Sequence, residues 1–231
     1  MKLAARAMYA ALARCIEPGI ALCIVFAAVA AVWSLPAHSQ DESINQRLLN
    51  AARSNDEPAV EAALNDGAAI DSRNRIGDTP LITACKKGST ATARMLVEHG
   101  ANVRQADVAG ITPLMAAAYG GDAETVGLLL AHGAETGAED RVGKTVMEYA
   151  AGQGSTASVK LLLDAGVDVN RRYKNDLTAL MWAAGYDRAD TVKLLLARGA
   201  DASLRDNRGM TAMDIAAQTH SSQVEALLSA H

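Results

Sequence analysis

Aromatic residues and long runs of like charge are scarce in this chain. Phe, Trp and Tyr make up 3% of its 231 residues, whereas half of the residues are hydrophobic. The interior therefore has to be built from Ala, Leu, Val and Met, which suits short, closely packed helices. The formal net charge is −4, and no block of basic residues is long enough for a nucleic-acid-binding arm. A DNA or RNA partner is not predicted.

Cysteine is also scarce, with three residues in all. Cys15 and Cys23 lie close to the N-terminus, within positions 1–39, so Cys85 would be alone in a chain that had lost that segment. A lone cysteine excludes an intramolecular disulfide and suits an exported protein that avoids disulfide scrambling. Cys85 follows Ala84 in a pair of small residues, which favours a buried side chain over a nucleophile.

The segment over positions 1–39 has the composition of an export signal. Basic residues near the start precede an uncharged stretch over residues 19–33, and Ala37 and Ser39 are the small residues that signal cleavage requires. The uncharged stretch is shorter than the about 20 residues that span a bilayer. We predict a signal peptide over residues 1–39, cleaved after Ser39 or, as the next choice, after Ala37. The alternative is an uncleaved inner-membrane anchor, and either way the remaining chain would lie outside the cytosol.

A threonine recurs at even spacing beyond this segment, at positions 79, 112, 145, 178 and 211. A constant interval of about 33 residues indicates an array of repeats that bury their apolar faces against one another. Each unit predicts two short helices, the first with a pair of small residues and the second with an apolar run such as Leu128-Leu129-Leu130. Glycines follow the first helices at 88, 121 and 154 and the second helices at 100, 133, 166 and 199.

Tight turns are predicted two residues before these threonines. Glycine occupies that position at 77, 110, 143 and 209, and Asp176 replaces it in the fifth unit. Asn74, Asp107, Asp140 and Asp206 stand three residues earlier, where their side chains can accept hydrogen bonds from nearby backbone amides. Tyr173 interrupts this series.

The stretch Thr112–Ala118 reads TPLMAAA and resembles the T-P-L-H-x-A signature of ankyrin repeats. The characteristic length of an ankyrin repeat is about 33 residues, which matches the interval between the threonines. The resemblance implies an all-α ankyrin-repeat solenoid of about six 33-residue helix-turn-helix units with short β-hairpin loops. It covers about residues 43–230, within one domain over 43–231. We place the repeats at about 43–73, 74–106, 107–139, 140–172, 173–205 and 206–231, the first and last being end caps.

The histidine of the family signature is replaced in every unit, by Ile82, Met115, Glu148, Met181 and Asp214. Family members use a Thr–His pair to tie neighbouring units, so we expect less rigid joints but the same fold. His99 and His132 precede helix-ending glycines, where a cation suits the helix dipole, and adjacent repeats are too far apart for the two to share a metal. No catalytic set, metal or cofactor is predicted.

Binding residues are sought where the repeat signature leaves positions free. Ankyrin arrays generally bind proteins with their hairpin tips and the exposed face of the first helices. All aromatics beyond residue 39 are predicted on that concave side, in repeats three to five, and they favour a protein-binding patch: Tyr119, Tyr149, Tyr173, Trp182 and Tyr186. For Tyr149 and Trp182 the alternative of a structural cover over the first helices stays open.

Basic residues of the neighbouring hairpins rim these aromatics, which predicts a partner with an acidic surface. They are Arg141, Lys144, Arg171, Arg172, Lys174 and Arg208. The alternative is that they are ordinary solvated loop residues. We predict a non-enzymatic, exported, bacterial-type ankyrin-repeat protein that binds another protein, in the periplasm or outside the cell, with no nucleic acid and no membrane after cleavage. The alternatives are a secreted effector acting on a host target and a protective or structural partner of a periplasmic enzyme.

Overall fold

The computed structural model describes residues 38–230. The predicted signal peptide therefore lies outside the described residues, except for the backbone of its last two positions. Residues from Ser43 onward form one compact unit. The described chain holds twelve α-helices and no β-strand: α1 (His38–Ser54), α2 (Glu57–Asn65), α3 (Pro80–Lys87), α4 (Thr90–Glu98), α5 (Pro113–Gly120), α6 (Ala123–Ala131), α7 (Val146–Gln153), α8 (Thr156–Asp164), α9 (Ala179–Gly185), α10 (Ala189–Ala197), α11 (Ala212–Gln218) and α12 (Ser222–Leu228).

The helices stack in two columns, as the predicted repeats require. The first helices of successive units pack on one another from α3 through α5, α7 and α9 to α11, and the second helices do the same from α2 to α12. The small pairs, such as Ala117 and Ala118, are fully buried between first helices, and one leucine of each apolar run, such as Leu129, fills the core. The largest fully buried side chains are all Leu, Ile or Met. The all-α solenoid built from small aliphatic residues is confirmed.

The recurring threonine begins the first helix of each unit. Thr112 is the N-cap of α5, and its hydroxyl accepts a hydrogen bond of 3.2 Å from the backbone N–H of Met115. Thr79, Thr178 and Thr211 cap α3, α9 and α11 in the same way. A side-chain cap satisfies one of the free N–H groups at a helix start, which explains the regular recurrence of this residue type.

The helix-ending glycines have the left-handed conformation that the sequence predicts. Gly88, Gly121 and Gly154 cap α3, α5 and α7 with φ between 67° and 79°. The second helices end two residues before a left-handed glycine, and His99 and His132 are the C-caps between them in α4 and α6. The capping role predicted for these two histidines is confirmed, and Nδ1 of His99 lies 2.8 Å from the carbonyl oxygen of Met95.

The hairpin loops are tight turns held by their first residue, without strand pairing. Oδ1 of Asp107 accepts backbone hydrogen bonds from Ala109 and Ile111, at 2.8 and 2.9 Å. Asn74, Asp140 and Asp206 make the equivalent pairs of bonds, as predicted. The expected hairpins are therefore present as turns, and the part of the chain that the structure describes shows no strand in them.

Neighbouring loops approach so closely that two glycines are needed for space as well as conformation. A Cβ on Gly77 would lie 2.8 Å from the backbone nitrogen of Val108, and one on Gly110 would lie 2.9 Å from Cα of Asp140. Single backbone hydrogen bonds join these tips, from Val108 to Ile76 and from Arg141 to Ala109. The loops therefore form a continuous ladder through repeats two to four.

The fifth loop breaks this ladder. Asn175 and Asp176 both have positive φ, 63° and 58°, so the left-handed conformation predicted for Asp176 is confirmed. The backbone there forms a short 3₁₀ turn over Lys174–Asp176. Between repeats four and five, the described residues form no backbone bond from tip to tip; instead Nζ of Lys174 donates to the carbonyl oxygen of Val142 at 3.0 Å.

The residues that replace the signature histidine fall into two structural groups. Ile82, Met115 and Met181 are almost completely buried, whereas Glu148 and Asp214 accept hydrogen bonds from the backbone N–H of the capping threonine. Other polar groups join neighbouring units, such as Arg73, which donates to the carbonyl oxygen of Ala106 at 3.1 Å. The expected loss of rigidity at the joints stays a prediction.

Both ends of the array bury apolar side chains as the predicted end caps require. In the first unit Leu48, Ala52 and Val60 are fully buried, and in the last unit Val224 is fully buried and Leu228 nearly so. Within the described residues, no helix is both long enough and apolar enough to cross a bilayer.

Candidate protein-binding face

Four aromatic rings lie on the first helices α5, α7 and α9 or, for Tyr186, on the residue that caps the end of α9. They contact one another in pairs, either between neighbouring repeats or within one repeat. Tyr119 and Tyr149 meet edge to face, with ring centroids 5.9 Å apart and planes at 86°. Trp182 and Tyr186 are stacked, with centroids 6.0 Å apart and planes at 6°. These four residues are called the aromatic row below. Both geometries are favourable for aromatic pairs.

Lys144 links the two pairs. Its ammonium lies 5.8 Å from the ring centroid of Tyr149 and 4.4 Å from that of Trp182, within the range of a cation–π contact. No carboxylate of the described residues lies within ion-pair distance of this ammonium. The aromatic row is therefore continuous across repeats three to five and holds at its centre a cation that makes no ion pair with the described residues.

Burial differs along the row. Tyr119 is 59% exposed and Tyr186 is 54% exposed, so both offer most of a ring to a partner. Tyr149 and Trp182 are half-buried and pack against the core. The structural role left open for these two residues is thus present, together with their contact to Lys144.

The hydroxyl of Tyr149 is occupied by the protein itself. It donates to Oδ2 of Asp140 at 2.5 Å, while Oδ1 of that carboxylate holds the turn. Burial of the tyrosine raises its pKa, and the hydrogen bond to the Asp140 carboxylate raises it further. The ring of Tyr149 is therefore fixed in place and stays neutral.

Tyr173, which the sequence favours as a binding residue, is not among the paired rings of the row and packs against the core. Its ring is covered by the guanidinium of Arg171, 5.6 Å from the centroid, and its hydroxyl is buried without a hydrogen-bond partner among the described residues. Burial raises the pKa of this hydroxyl. Tyr173, at the start of the irregular fifth loop, thus packs inward, and its role in binding a partner stays a prediction.

The predicted basic rim is divided by local pairing. Arg208 donates two hydrogen bonds to Oδ2 of Asp206, at 2.9 and 2.7 Å, so its charge is neutralised two residues away. Lys174 donates to a backbone carbonyl, and the described residues give neither Arg141 nor Lys144 an ion-pair partner. A cleft of about 440 Å³ lies between the fourth and fifth tips, and Arg141, Arg171 and Lys174 are among its lining residues.

An apolar pocket of about 400 Å³ adjoins the tyrosine end of the row. It is called the inner pocket below, and it is lined by Lys86, Ile111, Met115, Ala116, Tyr119 and Tyr149. Four of these residues were not predicted as site residues, because the pocket is assembled from three repeats. Their shared position near the start of the first helices is the sequence signal that could have found Ile111, Met115 and Ala116.

Lys86 contributes its methylene groups to the inner pocket while its charge is held elsewhere. The ammonium lies 2.7 Å from Oδ1 of Asp78 and 3.0 Å from Oδ2 of Asp107. Partial burial opposes the charged form, but the hydrogen bonds and charges of the two carboxylates outweigh it and raise the pKa of Lys86. The inner pocket therefore presents no free charge.

A second feature missed by sequence reasoning is a set of exposed apolar side chains on the hairpin tips. Ile76, Val108 and Val142 are each about half exposed, on the tips of repeats two to four. They resemble ordinary loop residues in the sequence, because only the stacking of the tips places them side by side.

The described residues hold no cluster of three or more His, Cys, Asp or Glu side chains that could bind a metal. Cys85 is fully buried, and this burial raises the pKa of its thiol, as expected for a structural residue. The buried role predicted for Cys85 is confirmed.

Comparison with known protein families agrees with this architecture. The family model described as "Ankyrin repeats (3 copies)" matches residues 48–140, 100–173 and 146–231, which together span most of the chain. The chain is an ankyrin-repeat protein. No curated protein matches its sequence. Ankyrin repeats are generic protein–protein interaction modules and are typically non-enzymatic, which suggests a protein partner.

Proposed function

We propose that this ankyrin-repeat protein is an exported, non-enzymatic binding protein that holds a partner protein against the face formed by α5, α7 and α9. The observation that carries the proposal is the aromatic row. Two of its tyrosines are more than half exposed, in a chain that has only five aromatic residues beyond residue 39. Aromatic side chains give large contact areas at low entropic cost, and they dominate protein-binding hot spots.

The arrangement of the row favours a partner over a purely structural role. A structural cover would bury its rings, whereas Tyr119 and Tyr186 leave theirs in solvent at both ends of the row. The half-buried Tyr149 and Trp182 hold the exposed rings and Lys144 in fixed positions. A rigid set of anchors loses little conformational entropy on binding.

Loss of the exposed rings tests this function. We expect that the double substitution Tyr119→Ser and Tyr186→Ser abolishes capture of the partner from a periplasmic extract, as measured by crosslinking and mass spectrometry. The melting temperature should change little, because both side chains are largely exposed. Lys193→Ser is the control, since the Lys193 side chain is 58% exposed but lies on the second helix α10, outside the row and the hairpin tips. Equal capture by both variants would contradict the proposal.

Export to the periplasm is the second part of the proposal, and it is supported by the signal-like composition of residues 1–39. Cell fractionation followed by N-terminal sequencing tests it. We expect a soluble periplasmic chain that begins at Gln40. Recovery of the uncleaved chain in the membrane fraction would indicate an anchor instead, and recovery from the medium would indicate secretion.

A further inference from the structure

The inner pocket and Lys144 both adjoin one residue. Tyr149 lines the inner pocket, and its ring centroid is 5.8 Å from the Lys144 ammonium. Resting on the function proposed above, we propose that the partner enters this face as an extended acidic segment. An apolar side chain of the segment fills the inner pocket, and a carboxylate two residues away binds Lys144.

The apolar half of the site follows from its lining. The pocket is formed by aliphatic and aromatic side chains, and its only charged residue, Lys86, is paired with both Asp78 and Asp107. The hydroxyl of Tyr149 is also occupied, by Asp140. A polar side chain would lose its hydration there without gaining a hydrogen bond, so the pocket selects an apolar one such as Leu or Phe.

The acidic half follows from the charge of Lys144. A partner that covers the aromatic row removes water from this ammonium, which makes no ion pair with a carboxylate of the described residues. Burying an unpaired charge is costly, so the partner has to supply the counter-ion. The overall charge of −4 does not favour acidic ligands in general, so a preference for acid would be local to Lys144.

The spacing follows from the contact that each half of the site makes with Tyr149. An extended chain rises about 3.3 Å per residue, and alternate side chains point to the same side. Residues i and i+2 are thus separated by about 7 Å, which is comparable with the 5.8 Å between the ammonium and the ring centroid of Tyr149, a lining residue of the pocket. The preferred ligand is therefore an extended segment with the pattern apolar, any residue, Asp or Glu.

The test uses a random peptide library displayed on phage and selected against the full chain. We expect peptides with an apolar residue and an acidic residue two positions away. Against Lys144→Glu, the acidic residue should be replaced by Lys or Arg, while the apolar residue is retained. Against Ala116→Leu, which fills the inner pocket, the apolar preference should be lost. A peptide selected on the natural chain should bind Lys144→Met about tenfold more weakly.

Lys160→Glu is the matched control, because it reverses one charge on α8, outside the aromatic row. Asp164, its partner, is also held by Arg198 at 2.8 Å. The control should select the same peptides as the natural chain. Thermal melts identify any variant that fails to fold, and Lys144→Met then serves in place of Lys144→Glu.

Three results would overturn the inference: no enrichment of peptides, enrichment without an acidic residue, or an acidic preference that Lys144→Glu leaves unchanged. A dimer of the chain that competes with peptide would also overturn it, because it would assign the face to a second copy. If the Tyr119→Ser and Tyr186→Ser variant still loses its partner in these cases, the proposed function stands and only the acidic segment is refuted.

Discussion

The Lys86 ammonium of the second repeat lies 3.0 Å from Oδ2 of Asp107 in the third. The same ammonium lies 2.7 Å from Oδ1 of Asp78, so one lysine pairs with two nearly buried carboxylates. The side chain of Asp107 is 5% exposed and that of Asp78 is 8% exposed. This contact joins two neighbouring repeats through their side chains. The stability of the interface between repeats two and three should therefore depend on the charge of Lys86, and this dependence can be measured.

We predict that Lys86→Met lowers the free energy of unfolding by about 1–3 kcal/mol at neutral pH, because two nearly buried carboxylates lose a charged partner. Urea unfolding measures this change. Lys160→Gln removes an exposed lysine from an ion pair on α8 and should change stability by about 0.5 kcal/mol or less. A similar loss in both variants would show that the Lys86 contact is no stronger than a surface ion pair.

Acid should weaken the same contact. Burial opposes the ionised form of Asp107, but Lys86 and the turn amides outweigh it and lower its pKa. A lowered pKa means that the stabilisation is complete above the ordinary value of about 4 and is lost as the pH falls further. The raised pKa of Lys86 preserves its contribution until strongly alkaline pH. We therefore expect Lys86→Met to shift acid unfolding to higher pH, as followed by circular dichroism.

Gly110→Ala should destabilise the array more than Gly209→Ala. Both glycines have φ of 82°, so both substitutions carry the left-handed penalty of about 1–2 kcal/mol. Only Gly110 faces a neighbouring loop, and a Cβ there would lie 2.9 Å from Cα of Asp140. We expect a further loss of about 1–3 kcal/mol at this position, measured by thermal or urea unfolding. Equal losses would indicate that the tips separate easily.

Trp182 allows its packing and its polar group to be separated. Its Nε1 is buried without a hydrogen-bond partner among the described residues, whereas its ring packs on the core and on Lys144. Trp182→Phe removes the unpaired N–H and keeps an aromatic ring, so we expect a change below about 1 kcal/mol. Trp182→Ala should cost about 3 kcal/mol or more. If the two variants are equally unstable, the indole N–H has an acceptor.

Cys85 should report the opening of the array. Its thiol is fully buried and its pKa is raised by that burial, so a thiol reagent can react only after the second repeat opens. We expect the rate of labelling in mild urea to follow the rate of unfolding. Ala84 is equally buried, and the variant Ala84→Cys with Cys85→Ala provides a neighbouring reference position. Rapid labelling without denaturant would contradict the prediction.

The sequence predicts the features that depend on contacts within one unit. The capping threonines, the left-handed glycines and the turn carboxylates each act over a few residues, so their spacing is enough to place them. The position of Tyr173 was harder to predict, because the ring direction depends on the irregular loop that it begins. The inner pocket is formed by residues as distant as Lys86 and Tyr149, and only the stacking of repeats brings them together.

The sequence also does not reveal which basic residues of the binding face are neutralised by a carboxylate. Arg208 and Lys144 look equivalent in the sequence, but Asp206 neutralises the first and two aromatic rings surround the second. The outcome depends on the rotamers that each loop allows. Composition can therefore predict an overall basic rim, whereas the one cation at the centre of the aromatic row requires the structure.

The loop ladder is interrupted between repeats four and five, where no backbone hydrogen bond joins the described tips. This interface is called the seam. In a chain of stacked repeats, stability depends on each nearest-neighbour interface, so a joint that relies on a lysine side chain at its tips is a natural place for the two terminal repeats to loosen. The aromatic row crosses this seam, with Tyr149 and Lys144 on one side and Trp182 and Tyr186 on the other. A ligand that contacts both repeats would hold them together. Its binding would therefore stabilise the packing of the two terminal repeats on the rest of the array.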